Sequence, residues 1–433
     1  MRDVVVAVKI WGRVAGYLDL DPQTGVCRFE YDTAFKQSGL ELSPLMMPLS
    51  SPITVWSFPE NRGDCFKYLP GVFADSLPDK FGNTIVDEWF ESKGVTVSEI
   101  SVLDRLCYVG KRGMGALEFE PSEKFRGLDS STKVRVAVLQ ELAQRIFEDR
   151  KSFRDSLIQG DKSVADILKV GTSAGGAKAK ALIAYNDITG EVRSGQVPAP
   201  EGFGYWLLKF DGTAYAEHDE IKGNPRGICN VEYAYYKMAL DCGIVMNECR
   251  LLKDGEFSHF MTKRFDRTDT GERLHMVSLA GMAHMDRDLP HSYDEIATIL
   301  RRLHLDVKSV EQLFRRMVFN VLASNNDDHA KNFAFLMDKA GRWTFAPAFD
   351  MCYAYVPGGQ WTGRHQMSVN GKRSGITAED LLAVGQRMDV SGAKGIIDEI
   401  ESVVSDWRQY ASSSDVPEYM MEIIAGQISV SVK

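Results

Sequence analysis

The first twenty residues, MRDVVVAVKIWGRVAGYLDL, alternate apolar and polar positions with a period of two, predicting a strand, a turn near Gly12 and a second strand. The period then changes. NTIVDEWFES and VRVAVLQELAQRIFEDR repeat at helical spacing, whereas KALIAY, GYWLLKF and HFMTKRF read as strands. Pro78, in SLPDKFG, suits an early position in the helix that follows, where its missing N–H costs nothing. TVSEISVLDRLCYVGKRGMGALEFEP reads as a helix giving way to a strand at Gly110, Gly113 and Gly115, glycines that serve turns or close backbone approach. In SVEQLFRRMVFNVLA, residues Val310, Leu313, Phe314, Met317, Val318, Val321 and Leu322 form one apolar face, and Ser309 with Gln312 resembles a capping box. That helix ends at SNNDD. The polar stretch ASNNDDHAKNF is therefore pinned to a core helix.

A chain of 433 residues exceeds one ordinary core. The polar stretch KFRGLDSSTK and the later shift to helical periodicity divide it into 1–125, 126–270 and 271–433. Strand-rich and helix-rich stretches in sequence imply an α+β class. The charge balance of 51 basic against 60 acidic residues, net -9, weighs against a broad nucleic-acid surface. Seven widely spaced cysteines fit reduced thiols in a cytoplasmic protein, not a disulfide framework or zinc site. No stretch approaches the roughly 18 apolar residues of a membrane span, so no membrane role is expected.

The polar loop has three readings. Asn and Asp can cap the helix and form turns. A calcium loop is a second possibility, although the alternation and glycine of a helix-loop-helix site are absent. The third is phosphoryl transfer: Asp327 precedes Asn332 by five residues, the separation between an acceptor-orienting carboxylate and a magnesium-binding amide in a kinase catalytic loop. FAPAFD then supplies Asp350, eighteen residues beyond Asn332, as a second metal ligand.

Other segments meet the demand for phosphate neutralisation. GTSAGGAKAKAL offers Gly171, Gly175 and Gly176 as a flexible cradle, although it lacks the Walker pattern. Lys209 ends an apolar strand, where it either snorkels or pairs with phosphate. Glu232, in helical NVEYAYYKMAL, can hold that lysine or stand as an ordinary helix carboxylate. Phe265 can cover an adenine face while the backbone around Lys263 reads the base edge, with core packing the alternative.

The ordered set SLPDKFG, YVGKRGMGALEF, GTSAGGAKAKAL, WLLKF, NVEYAY, KRFDR, NNDDHAKN and FAPAFD resembles the HipA family of bacterial serine/threonine-protein kinase toxins of type II toxin-antitoxin systems, over nearly the whole chain. The resemblance implies a two-lobed protein-kinase-like fold with a small N-terminal mixed α/β domain and a largely helical C-terminal lobe. It implies ATP and Mg2+ as cofactors, Asp327 as the residue orienting the acceptor hydroxyl, and Asn332 and Asp350 as magnesium ligands. Lys209, Glu232, Lys263 and Phe265 then belong to the nucleotide site, with Ser173, Ala174, Gly175 and Gly176 in its phosphate loop. His329 braces the catalytic loop, Lys331 offsets charge on the transferred phosphate, and Asp328 orients the loop without touching substrate. Ser173 corresponds to the family's autophosphorylation serine, with Thr172 beside it as the alternative. The implied partners are a bacterial protein substrate, such as a translation component, and a small helix-turn-helix antitoxin. DNA is reached only indirectly through that antitoxin. A small-molecule kinase and a weakly active nucleotide-binding repressor partner are the alternatives.

Overall fold

The computed structural model describes residues 5–121, 133–159, 179–212, 225–268 and 270–428, with positions 131, 161, 167, 168, 170 and 171. β1 (Val6–Ile10) and β2 (Arg13–Leu20) form the expected hairpin around Gly12. Val6, Val8 and Ile10 are fully buried, the alternation that a sheet with one covered face requires. β3 (Cys27–Tyr31), β4 (Val55–Ser57) and β5 (Leu117–Glu120) complete an antiparallel sheet in the order β4-β3-β2-β1-β5. The helix Val102–Val109 ends at Gly110 before β5, as the glycine-rich stretch predicts.

Earlier in the chain, one helix begins after Pro78 instead of including it. Lys80–Ser92 is capped by Asp79, whose Oδ1 accepts the Gly82 N–H at 2.6 Å. Pro78 therefore lies one residue outside the cap and not in the first turn, because the aspartate satisfies orphan amides that proline can only lack. Phe81 and Ile85 on this helix enter a second core with Leu139, Phe153, Ile183 and Trp206. Val86 and Phe90 on its other side pack with Tyr108, so the helix ties Val102–Val109 to the second core.

β6 (Lys180–Tyr185), β7 (Val192–Ser194), β8 (Gly204–Lys209), β9 (Cys249–Asp254) and β10 (Phe257–Lys263) form the second antiparallel sheet, in the order β7-β6-β8-β10-β9. Lys180 stands opposite Lys209 in the β6–β8 ladder, so both side chains leave the same face. The helix Ile228–Asp241 follows, its first amides held by the Asp211 carboxylate through Gly227 N–H at 2.9 Å. It carries Glu232 and, one turn later, Tyr235, whose hydroxyl donates to Ala323 O at 2.6 Å.

The remainder is rich in helices. β11 (His275–Ser278), β13 (Ala334–Met337) and β14 (Trp343–Phe345) make a small sheet, while β12 (His291–Ser292) runs parallel to β15 (Met367–Ser368). Val307–Leu322 buries the apolar face read from its sequence. Its cap is Asp306, not Ser309: the Asp306 carboxylate accepts both the Ser309 N–H and hydroxyl, and Gln312 instead bonds Val245 N and Gly243 O. A mixed α/β chain with a helix-rich C-terminal part agrees with the α+β expectation.

The N-terminal sheet unit is fastened to this part. Asp75 accepts from Ser278 N at 2.6 Å and Ser278 Oγ at 2.8 Å, and Gly71 N–H donates to His284 Nε2 at 2.9 Å. Helices Gly71–Ala74 and Leu279–Ala283 approach so closely that a Cβ on Gly281 would lie 2.3 Å from Asp75 Oδ2.

Candidate active site

The helix Val307–Leu322 ends on Ala323, and Ser324 takes a left-handed φ of +53° that turns the chain into the polar loop. Asn325 Nδ2 reaches back to Asn320 Oδ1 at 2.9 Å, and Asn326 N–H donates to Ala354 O at 3.1 Å. Asn326 Nδ2 also holds Thr362 O at 3.0 Å. Both asparagines are thus taken up in holding the loop to its own helix and to the segment carrying Ala354 and Thr362.

Asp327 and Asp328 then part company. Asp328 is buried and accepts from Tyr293 Oη at 2.7 Å and from the Gln366 N–H at 2.7 Å, with His365 Nδ1 at 3.1 Å. It binds the loop to the segment after Asp350 and does not face solvent. The Asp327 side chain is 50% exposed, with His329 Nε2 at 3.7 Å. Asn332 Nδ2 donates to the Asp327 carbonyl at 2.6 Å, which fixes the turn Ala330–Asn332 and commits the amide nitrogen, while its oxygen keeps its acceptor character.

Lys209 is the centre of the charged cluster. Its Nζ donates to Glu232 Oε1 at 2.5 Å and also to Asp350 Oδ1. Burial opposes its charge, but Asp350 and Glu232 together outweigh that opposition and raise its pKa. Asp350 sits at a left-handed φ of +54°, an uncommon backbone state for an aspartate, with its side chain 31% exposed. The structure therefore brings Lys209, Glu232 and Asp350 into direct contact from three elements separated widely in sequence.

Lys263 and Phe265 lie at the end of β10. Lys263 N–H donates to Glu248 O at 2.8 Å and its carbonyl accepts from Asn247 Nδ2 at 3.1 Å, so its backbone is already engaged. Phe265 meets Phe349, the neighbour of Asp350, with ring centroids 5.3 Å apart. Between them, Arg264 makes a bidentate pair with buried Asp266 at 2.9 and 2.8 Å, and Asp266 also accepts the Gly115 N–H at 2.6 Å. Burial opposes the Asp266 charge, but Arg264 and Arg267 prevail and hold its carboxyl well below the usual range. The KRFDR motif is in this respect a structural staple between the second sheet and the N-terminal unit.

Gly171 is buried, and a Cβ there would meet Ile85 Cδ1 at 2.8 Å, so close packing explains it without a ligand. Thr172, Ser173, Ala174, Gly175 and Gly176 lie outside the described residues.

Two participants escaped the sequence reading. Lys180, beside Lys209, is buried and ion-paired with Asp79 at 3.6 Å. Asp75 and Asp79 both feel the charge of Lys331 on the Asp/Asn loop. Burial raises the Asp79 pKa to about 6 against the pull of Lys180. The lysine-rich end of GTSAGGAKAKAL and the aspartate of SLPDKFG were the available signals.

The set contains oxygen donors of the kind a hard cation takes. Magnesium is commonly held by one or two carboxylates together with substrate phosphates and water, so Asn332 and Asp350 fit it without a larger protein cage. Among the described residues no three His, Cys, Asp or Glu form a separate metal cluster.

Fold and site define a mixed α/β protein in which a buried lysine at the end of a five-stranded sheet is held by two acidic partners, one from a helix and one from the helix-rich part. The HipA-like C-terminal domain family matches residues 172–407 and the HipA N-terminal domain family residues 6–120; the chain belongs to the HipA family. A putative kinase of Haemophilus influenzae is 28% identical over 134 residues, 28% of this chain and 39% of that protein. Putative kinase Y4dM of Sinorhizobium fredii is 24% identical over 230 residues, 49% of this chain and 53% of that protein. The matched regions thus span less than two thirds of either relative. A chain of the Shewanella oneidensis MR-1 toxin-antitoxin complex of HipA, HipB and operator DNA superposes with a TM-score of 0.67, covering 98% of this chain and 95% of that one. At 17% identity, that likeness concerns the fold. Among the described residues no helix is long and apolar enough to cross a membrane.

Proposed function

We propose that this protein is an ATP- and Mg2+-dependent serine/threonine-protein kinase with the two-lobed arrangement, the second sheet and the helix-rich part forming the lobes. The observation that carries the reading is Lys209 held between Glu232 and Asp350, together with a loop in which Asp327 is exposed and Asn332 is oriented by the Asp327 carbonyl. Lys209 would neutralise nucleotide phosphates, and Asn332 and Asp350 would hold magnesium, which neutralises charge developing on the transferred phosphoryl group. Asp327 orients the acceptor hydroxyl and accepts its proton, His329 braces it, and Lys331 offsets charge. With the Lys263 backbone engaged, reading of the adenine edge falls to the backbone of Phe265, whose ring covers the base face.

The substrate class in this reading is a hydroxyl-bearing bacterial protein, such as a translation component, with Ser173 as the autophosphorylation site. A helix-turn-helix antitoxin is the proposed partner, supported by the HipA–HipB–operator complex that shares the fold, and contact with DNA runs through it. Purified protein incubated with magnesium and γ-labelled ATP, alone and with a bacterial lysate, tests the reading, with sites mapped by mass spectrometry. Label is expected on Ser173 and on a lysate protein, and absent with Lys209→Met. Absence of transfer from a preparation shown by intact mass to be unphosphorylated would overturn it.

A further inference from the structure

Asp79 uses its two carboxylate oxygens for different ends. Oδ1 caps the helix Lys80–Ser92, whereas Oδ2 has no hydrogen bond within ordinary distance and stands 3.6 Å from Lys180 Nζ. The two side chains are 2% and 6% exposed. An N-cap needs only one acceptor, and asparagine serves there as well as aspartate. Helix capping therefore leaves a buried negative charge aimed at Lys180 unexplained.

The sheet supplies the reason. Lys180 and Lys209 are ladder partners, so two ammonium groups share one face and repel one another. Glu232 and Asp350 hold Lys209, while Asp79 holds Lys180. Lys180 also lies within the field of Asp350. Released from Asp79, it would turn toward that carboxylate and compete for it.

We propose that Asp79 is a positioning residue of the nucleotide site: it holds Lys180 alongside Lys209, so that the N-terminal unit completes the wall facing the phosphates. This rests on the nucleotide-binding reading above. Asp75 supports the arrangement by fixing the same segment to Ser278 and, with Asp79, lying within the field of Lys331.

Calorimetry on the full chain with magnesium and a non-hydrolysable ATP analogue tests it. Asp79→Asn keeps the cap and removes the charge; it is expected to melt within a few degrees of the parent yet bind about ten-fold more weakly, the scale of one lost charge-assisted contact. Lys180→Gln should lose a similar factor, and the double variant no more than the larger single loss. In turnover the effect should fall on KM for ATP and leave kcat at saturation nearly unchanged. A parent that binds while Asp79→Asn binds equally well or better, or losses that multiply in the double variant, would overturn the positioning role alone. A parent that binds no nucleotide overturns this proposal together with the kinase reading. Should Asp79→Asn melt far below the parent, Lys180→Gln decides: unchanged affinity there refutes the proposal.

Discussion

Asp327 and Asp328 are adjacent in sequence, yet one is half exposed and the other fully enclosed. The difference separates what each substitution does. Asp327→Ala removes no buried hydrogen bond of its side chain, so it is expected to melt like the parent and retain binding of Mg-ATP. Its phosphoryl transfer should fall by roughly two or more orders of magnitude, the scale of a required acid–base and orienting contact. Asp328→Ala instead strands the Tyr293 hydroxyl and the Gln366 amide in the interior, an effect of several kcal/mol by order of magnitude, about 1–3 per unsatisfied group. Urea denaturation should show that loss directly, and a stable Asp328→Ala with normal midpoint would contradict the bracing role. Asp350→Asn should weaken Mg-ATP binding more than Asp327→Ala, because a neutral amide replaces a charged ligand. Calorimetry at fixed magnesium reads the order, and normal binding by the Asp350 variant beside a defect in the Asp327 variant would exchange the two roles.

At the scale of elements, periodicity carried the strands and helices, because alternation and three-to-four spacing are local properties of buried faces. KALIAY, GYWLLKF and the apolar face of Val307–Leu322 were legible for that reason. Caps were less so. Ser309 with Gln312 satisfies the capping pattern, but Asp306 lies three residues earlier, where its carboxylate accepts the Ser309 amide and starts the helix a turn sooner, and tertiary contacts with Val245 and Gly243 claim Gln312. The site divided along the same line. Asp327, Asn332 and Asp350 were readable from short spacings, whereas Asp79 and Lys180 meet only because the helix Lys80–Ser92 crosses between two cores. That crossing depends on the docking of Gly71–Ala74 against Leu279–Ala283. Gly281→Ala would place a Cβ against the Asp75 carboxylate and the Gly71 carbonyl, at 2.3 and 2.9 Å, and neither can withdraw without losing the Ser278 contacts or the backbone approach. A destabilisation of about 1–3 kcal/mol, typical of overpacking, is expected. Limited proteolysis should show earlier release of the N-terminal fragment, and parent-like protection would argue that the seam is looser than its geometry.

For the molecule as a whole, histidines mark the seam. His275, wholly buried on β11, contacts Leu42 O at 3.1 Å, and His284 accepts the Gly71 N–H on Nε2. Burial lowers both pKa values from 6.5 to about 4. Protonating His284 also turns its Nε2 acceptor into a donor facing another donor. The unfolded chain therefore takes up these protons first as pH falls. Each ring contributes stability that is fully present above pH 6.5 and is lost progressively as pH drops from there through 4. Asp79 acts in the opposite sense: desolvation raises it from 3.8 to about 6, so the folded state holds its proton more tightly as pH falls. The total slope mixes these signs, and a difference between variants isolates one ring. His284→Gln keeps an acceptor for the Gly71 N–H but cannot titrate. The stability advantage of the parent over His284→Gln, from urea midpoints, should shrink between pH 7 and 5 by about 1 kcal/mol or more, since a tenfold difference in proton affinity between folded and unfolded chains is worth about 1.4 kcal/mol. In proteolysis the N-terminal unit should loosen in the parent before it does in the variant. An advantage constant across that pH range would mean that His284 enters the folded seam with its ordinary affinity for protons, and that acid loosening originates elsewhere.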